Sequence, residues 1–194
     1  LLIQVRKITA RIKLMKIEIG DRLDPISLPT IDGTSFNTES LLGKKYLLTF
    51  YRFASCPLCN LRIHQFIERY EDFGNDFQMV AIFHSSVSNL NQYTRRHNAP
   101  FPILADESFA YFEKYDIKRS TLAFLKSQLI RGPQILQAMT KGFIPYQIKG
   151  SLTILPVDIL INAKGFVEKV KYGKDIADHL TFDEIKIFSH SRSP

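Results

Sequence analysis

Tryptophan is absent from the 194-residue chain, and cysteine occurs only twice. Two cysteines cannot build the disulfide framework on which small secreted domains depend. No apolar run approaches the roughly 20 residues that a membrane-spanning helix requires. No apolar signal-peptide core followed by a small-residue cleavage site is present either. With 45% hydrophobic and 23% charged residues, the composition is that of a globular protein, and we expect a cytoplasmic location without a membrane partner.

Acidic residues are missing from the first 16 positions, where five basic residues give a local charge of +5: Arg6, Lys7, Arg11, Lys13 and Lys16. The remaining 178 residues carry only +2 of the net charge of +7. Because a nearly neutral body is poorly suited to a phosphate backbone, we expect no nucleic-acid partner. We interpret residues 1–16 as a basic N-terminal extension. The part before Met15 is compatible with an upstream extension, an organelle-targeting remnant or a frayed terminus.

Both cysteines lie in one short run, Cys56-Pro57-Leu58-Cys59. An apolar strand-like segment (46–51) precedes the run, and a helical pattern (57–73) follows it up to a glycine. Pro57 suits the first helical turn, where its missing N–H costs nothing. A helix N-terminus has unpaired N–H groups and a partial positive charge, which favour a thiolate over a thiol. The arrangement is typical of thioredoxin-like redox proteins.

Strand and helix patterns alternate along the rest of the chain. Residues 77–83 form a second apolar strand pattern, and two further strands, 157–161 and 166–170, flank a hairpin signal. Thr181 and Glu184 form a capping box for a last helix. The pattern predicts an α/β protein with a thioredoxin-like fold, in which a central mixed β-sheet has helices on both faces. We place this domain at 17–190, with a helical insertion at about 118–150, before the last hairpin, that serves as a lid or a dimer surface.

At these residues the chain resembles the alkyl hydroperoxide reductase/thiol-specific antioxidant (AhpC/TSA) family of peroxiredoxin-like proteins. The resemblance runs from about Gly20 to Ile187. Its anchors are Gly20-Asp21, Phe50-Tyr51-Arg52 before the cysteine run, the segment 155–161, and the segment 172–180, which is similar to a Cys-x-x-Cys branch of that family. The resemblance implies a thiol-dependent oxidoreductase, and we expect it to need no bound cofactor. Thioredoxin- or glutathione-type systems would supply the electrons, and a homodimer is a further expectation.

The family chemistry assigns the two cysteines different roles. We expect Cys56 to be the attacking thiol, exposed at the helix N-terminus, and Cys59 to be the more buried resolving thiol. A peroxide would convert Cys56 to a sulfenic acid, which would condense with Cys59 to a disulfide. The same pair could instead attack a substrate disulfide. Supporting roles are expected for Pro57, for Arg52 or Arg119 beside the thiolate, and for Pro156 as a cis-proline facing Cys56.

One departure from the family pattern concerns the loop around the attacking cysteine. Typical members have a Pro-x-x-x-Thr-x-x-Cys loop, whose threonine helps to orient the peroxide. Here Thr49 stands in the position of the proline and Phe53 in that of the threonine. The alternatives therefore stay open: a protein disulfide oxidoreductase, a non-catalytic thioredoxin-fold binding module, or two buried structural cysteines. A zinc site is disfavoured because the chain has no second cysteine pair.

Overall fold

The computed structural model describes residues 15–191, and in this range the chain forms seven strands and six α-helices. The strands are β1 (Ser27–Pro29), β2 (Ser35–Asn37), β3 (Lys45–Tyr51), β4 (Phe77–Phe83), β5 (Ile103–Ala105), β6 (Val157–Ile161) and β7 (Val167–Tyr172). The helices are α1 (Pro57–Glu68), α2 (Val87–Thr94), α3 (Ala110–Lys114), α4 (Thr121–Ile130), α5 (Gly132–Thr140) and α6 (Phe182–His190). Residues 1–14, which are most of the predicted basic extension 1–16, lie outside the described residues.

Five of the strands form one sheet in the order β5-β4-β3-β6-β7, and β1 pairs with β2 in a separate hairpin. The pairs β3–β4 and β4–β5 are parallel, whereas β6 runs antiparallel to both β3 and β7. Strand β3 is buried along its whole length because it lies at the centre of the sheet. The predicted mixed sheet is thereby confirmed.

The side chains of β3 alternate between two hydrophobic cores, one on each face of the sheet. Leu47 and Tyr51 point into the core that contains residues of α1, α2 and α6. Leu48 and Phe50 point into the other core, which contains residues of α3 and of the segment before β3. This alternation follows from the two-residue period of a strand, and it confirms the prediction of helices on both faces.

Local signals in the sequence mark the ends of several elements. Thr181 and Glu184 form the predicted capping box at the start of α6. The predicted hairpin is the β6–β7 pair. The helix predicted over 57–73 is shorter: α1 ends at Glu68, and a 3₁₀ turn (Tyr70–Phe73) leads to Gly74, whose φ is 77°. Helix ends often tighten in this way, so the change affects the last turn only.

The predicted helical insertion corresponds to α4 and α5. Ala138 of α5 is buried together with Leu61 of α1 and Phe143. The insertion therefore lies beside the helix that begins at the cysteine pair. Its role as a lid or dimer surface, and the domain limits 17–190, stay predictions. Within residues 15–191, no helix combines the length and the apolar composition needed to cross a bilayer.

Candidate active site

The end of β3 and the start of α1 together position the cysteine pair. The chain leaves the sheet after Tyr51 and turns through residues 53–55 to Cys56, which is the N-cap residue of α1. Cys56 has extended backbone angles (φ −62°, ψ 117°), as expected for a residue that precedes a proline. Its Sγ accepts a hydrogen bond from the N–H of Cys59 at 3.2 Å. The sulfur thus takes the place of the oxygen that usually caps a helix.

Arg52 provides a positive charge directly beside this sulfur. Its Nη2 donates to Cys56 Sγ at 2.9 Å, and its Nη1 donates to the Leu152 carbonyl at 3.1 Å. Arg119, the other candidate, is exposed, and its guanidinium lies over the Phe109 ring, 4.1 Å from the ring centroid. The structure therefore brings together Arg52, Pro57 and the two cysteines, and it places Arg119 elsewhere.

The two thiols differ in their tendency to ionise. Burial alone would raise the pKa of Cys56, but the Cys59 thiol, the Arg52 charge and the Cys59 backbone N–H all stabilise the thiolate and lower the pKa from 9.0 to about 6. Burial raises the pKa of Cys59 well above its usual value, and hydrogen bonding to Cys56 and the negative charge there raise it further. At neutral pH the pair therefore consists of one thiolate and one thiol.

The predicted exposure of Cys56 is wrong. Cys56 has no exposed surface, and 3% of Cys59 is exposed. A segment after α5, residues 144–152, is bonded to two residues that flank Cys56 in the chain, and we call it the covering loop. Its Gln147 carbonyl accepts a hydrogen bond from Ser55 Oγ at 2.6 Å, and its Leu152 carbonyl binds Arg52. Access to the sulfur thus requires movement of the surroundings.

An apolar groove of about 230 Å³ lies next to the buried pair. Arg52, Phe53 and Pro57 form its inner wall, so the groove leads towards the guanidinium that holds the thiolate. The insertion and the covering loop contribute most of the other lining residues: Phe124, Gln128, Ile135, Met139, Pro145, Ile148 and Leu152. We call this space the apolar groove.

The two positions that depart from the family loop have different surroundings. Phe53 is 2% exposed and fills the place of the threonine with an aromatic wall of the apolar groove. Thr49 is fully buried in β3, and its hydroxyl has no hydrogen-bond partner among residues 15–191. Neither side chain can therefore substitute for the threonine hydroxyl beside Cys56.

The predicted cis bond before Pro156 is also wrong, since every peptide bond between residues 15 and 191 is trans. The Leu155 N–H donates to the Lys118 carbonyl at 2.9 Å, and the Pro156 carbonyl accepts from the Gly173 N–H at 2.8 Å. The chain thus runs extended into β6 without a tight turn at this point. An extended chain of this kind is compatible with a trans bond, which for X–Pro is about 0.5–1 kcal/mol more stable than the cis bond.

The sequence did not lead us to predict a second buried charge, which lies in a strand of the sheet. Asp158 of β6 is 1% exposed, and its carboxylate lies 3.0 Å from His179 Nδ1 and 2.7 Å from the Leu180 N–H, which donates to it. Burial would raise the pKa of Asp158, but the His179 ring and the Arg62 charge keep it below its usual value. An aspartate within an apolar strand could have predicted this pair, because a buried carboxylate needs a hydrogen-bonding or charged partner.

The partner of Asp158, His179, is also nearly buried, with 7% of its side chain exposed. Its ring centroid is 5.4 Å from that of Tyr51, on the same side of the sheet as the cysteines. Between residues 15 and 191, no three His, Cys, Asp or Glu side chains form a cluster that could hold a metal ion.

Comparisons with known proteins show which proteins this chain resembles. The chain is similar to "Putative peroxiredoxin bcp" of Coxiella burnetii, with 28% identity over 104 residues, which are 53% of this chain and 69% of that protein. It is 26% identical to "Peroxiredoxin Bcp" of Bacillus subtilis over 104 residues, which cover 53% of this chain and 66% of the relative.

Among solved structures, "Peroxidoxin BcpB" from Mycobacterium tuberculosis has a TM-score of 0.66 at 19% identity, over 92% of this chain and 99% of that one. At this identity the likeness shows the fold alone. The family model described as "AhpC/TSA family" matches residues 19–170, which is most of the chain. The protein therefore belongs to the AhpC/TSA family and is a peroxiredoxin-like enzyme with a thioredoxin fold.

Proposed function

We propose that this protein is a thiol peroxidase in which Cys56 attacks the peroxide and Cys59 resolves the product. The observation that carries the proposal is the contact between Arg52 Nη2 and Cys56 Sγ at the start of α1. This contact supports a thiolate at neutral pH, and the thiolate is the nucleophilic form of cysteine. The relatives that are named peroxiredoxins favour a peroxide as the electrophile.

The first step consumes the peroxide. The Cys56 thiolate attacks the terminal oxygen of an R–O–O–H substrate, the O–O bond breaks, and R–O⁻ leaves and takes a proton from water. The sulfur becomes a sulfenic acid, so it has lost two electrons while the peroxide has been reduced to an alcohol. The guanidinium of Arg52, within 2.9 Å of the sulfur, is placed to stabilise the negative charge that moves to the leaving oxygen.

The second step forms the disulfide. Cys59 lies one helical turn from Cys56 and keeps its proton at neutral pH because its pKa is raised. Its sulfur attacks the sulfenic sulfur, the S–O bond breaks, and the hydroxyl leaves as water with the Cys59 proton. Since both sulfurs belong to the first turn of α1, resolution does not require the helix to unfold. A dithiol of the thioredoxin type or glutathione would then return two electrons and two protons. A homodimer and a cytoplasmic location remain predictions.

A protein disulfide oxidoreductase is the second candidate, and one observation favours it. Phe53 replaces the hydroxyl that would orient a peroxide and presents an aromatic wall to the apolar groove. In this case the Cys56 thiolate would attack a substrate disulfide, and Cys59 would release the mixed disulfide.

Oxidation of the reduced protein with one equivalent of peroxide tests the proposal. We expect the reduced protein to lose two thiols on addition of one equivalent of peroxide, with a loss of two mass units. Cys59→Ser should lose one thiol and retain a sulfenic acid that dimedone traps, whereas Cys56→Ser should not react at this peroxide level. Unchanged thiols in the unmodified protein would contradict the peroxidase. If that protein nevertheless reduces insulin and Cys56→Ser does not, the disulfide oxidoreductase is the correct function.

A further inference from the structure

The exposed apolar side chains of this protein are concentrated on the insertion. Thirteen large apolar residues between positions 15 and 191 are exposed, and nine of them lie between residues 122 and 148. Leu129 is the most exposed, at 87%, and Ile130 is 67% exposed. Contiguous apolar surface on a folded domain usually marks an interaction site.

The exposed apolar residues of α4 border the apolar groove. Phe124 and Gln128, one helical turn apart, line the groove. Leu125 and Leu129 follow them by one position each, so they form the adjacent row on the helix surface. On α5 the same relation holds, because Leu136 follows the groove residue Ile135. The apolar surface thus continues from the groove to its rim, and we call this area the insertion face: Leu122, Leu125, Leu129, Leu136, Met139 and Ile148.

The charge of this region has one sign. Residues 117–157 contain six basic residues and no acidic one. Two of the six are neutralised by ion pairs with residues outside the segment, Lys118 with Asp116 at 2.6 Å and Arg131 with Asp175 at 2.7 Å. Of the other four, Arg119 lies over the Phe109 ring. The remaining three are exposed lysines, Lys126, Lys141 and Lys149, and Lys141 Nζ lies 3.2 Å from His64 Nε2.

We propose that the insertion face docks onto the surface of an anionic lipid bilayer. Exposed aliphatic side chains beside lysines are the combination that inserts between lipid headgroups and pairs with their phosphates. A second copy of the chain fits poorly, because pairing two such faces would bring like charges together. A protein partner fits less well than lipid, because protein interfaces favour aromatic residues and arginine over lysine.

This proposal revises the sequence-based expectation that no membrane is involved. That expectation considered only spanning helices, whereas the structure shows which apolar residues are left uncovered. Docking would also turn the apolar groove, and with it the side of the protein that holds Arg52, towards the lipid. The docking does not depend on the proposed function. Only a catalytic role for this orientation would depend on it.

Vesicle flotation with the full-length reduced protein tests the docking directly. We expect binding to vesicles that contain phosphatidylglycerol, little binding to pure phosphatidylcholine, and release at high salt. The double variant Leu125→Gln, Leu129→Gln should weaken binding about tenfold or more, because two exposed leucines no longer insert. The control Ile19→Gln, Ile187→Gln removes two apolar side chains that are 71% and 72% exposed elsewhere and should bind normally.

A second pair of variants tests the electrostatic part. Lys126→Gln with Lys149→Gln should weaken binding about thirtyfold, since a lysine near an anionic surface contributes about 1 kcal/mol. Lys44→Gln with Lys164→Gln, which removes two exposed lysines elsewhere, should have no effect.

Three results would overturn the proposal. Absence of vesicle binding would indicate that the insertion face binds an acidic protein partner and not a bilayer. Binding that is unchanged in both variants of the insertion face would assign the interaction to the basic N-terminal segment. Concentration-dependent dimerisation that the leucine variant abolishes would assign the face to a second copy. None of these measurements involves the peroxidase reaction, so the two proposals fail separately.

Discussion

At the scale of single residues, Cys59 and Arg52 together favour the thiolate form of Cys56. Without a positive charge, a sulfur as buried as that of Cys56 would hold its proton, because burial raises the pKa of a thiol. The hydrogen bond with Cys59, and the charge and hydrogen bond of Arg52, reverse this tendency and lower the pKa of Cys56. The same guanidinium also binds the Leu152 carbonyl of the covering loop, so it connects the thiolate to the segment that shields it.

Substitution of Arg52 should therefore raise the pKa of Cys56. A hydrogen bond to a charged group contributes about 1.5–3 kcal/mol, which corresponds to about 1–2 pKa units. In Arg52→Met the apparent pKa should rise from about 6 by this amount, and alkylation by iodoacetamide at pH 7 should become up to about tenfold slower. The measurement is the pH profile of the alkylation rate at Cys56, read by mass spectrometry. Arg52→Lys should give an intermediate profile.

Arg119→Met is the matched control, since its guanidinium lies over Phe109 and not beside the sulfur. An unchanged profile in Arg52→Met, or a shift of equal size in Arg119→Met, would contradict the assignment. The sequence could not choose between the two arginines because their distances from Cys56 along the chain do not determine their positions. Residue 52 directly follows the strand that leads to the cysteine pair, whereas residue 119 pairs with Ile154 in an isolated bridge.

At the scale of elements, the covering loop packs against the residues that flank Cys56. Gly150 packs closely against the site: a Cβ at this position would lie 2.9 Å from Phe53 Cβ and 3.2 Å from the His84 carbonyl oxygen. Its φ of 121° is also rarely adopted by residues with a side chain. Both observations indicate that the loop keeps its position only with glycine here.

Gly150→Ala should consequently lift the loop and expose Cys56. We expect alkylation of Cys56 at pH 8, where the thiolate is fully formed, to become several-fold faster than in the unmodified protein. Gly33→Ala is the control, because Gly33 also has a positive φ of 85° but no atom lies within 4 Å of the added Cβ. Equal rates in Gly150→Ala and the unmodified protein would mean that another segment limits access.

The elements also show what the sequence reveals and what it does not. The capping box at Thr181 and the hairpin between β6 and β7 depend on residues close together in the chain, so the pattern alone predicted them. The covering loop is held beside Cys56 by Gln147 and Leu152, which lie more than 90 residues away from their partners Ser55 and Arg52. A local sequence pattern cannot predict a contact between residues so far apart in the chain. The predicted exposure of Cys56 therefore failed, although the predicted start of the helix at Pro57 was correct.

At the scale of the whole molecule, ionised groups lie at the centre of the sheet and not only at its surface. Arg52 follows β3, and Asp158 lies opposite Thr49 in the neighbouring strand β6. The Asp158 carboxylate has a pKa below its usual value, so its contribution to stability is lost only in strong acid. The Cys56 thiolate differs, because its pKa of about 6 lies below its usual 9.0 and close to neutrality.

The free energy of unfolding should therefore depend on pH through Cys56. The folded state holds the thiolate, whereas the unfolded chain keeps the proton up to about pH 9. The stabilisation is complete above pH 9 and is lost as the pH falls through about 6. Between pH 6 and pH 8, the reduced protein should gain about 2 kcal/mol relative to Cys56→Ser.

Urea unfolding of both proteins under reducing conditions, at several values between pH 6 and pH 8, measures this difference directly. Subtracting the Cys56→Ser profile removes the contribution of every other group that titrates equally in both proteins, including Asp158. Parallel profiles would mean that the folded protein does not favour the thiolate. A growing difference would instead show that the protein is most stable in the state that attacks its substrate. In that case oxidation of Cys56 removes a stabilising charge, and reduction of the disulfide becomes correspondingly more favourable.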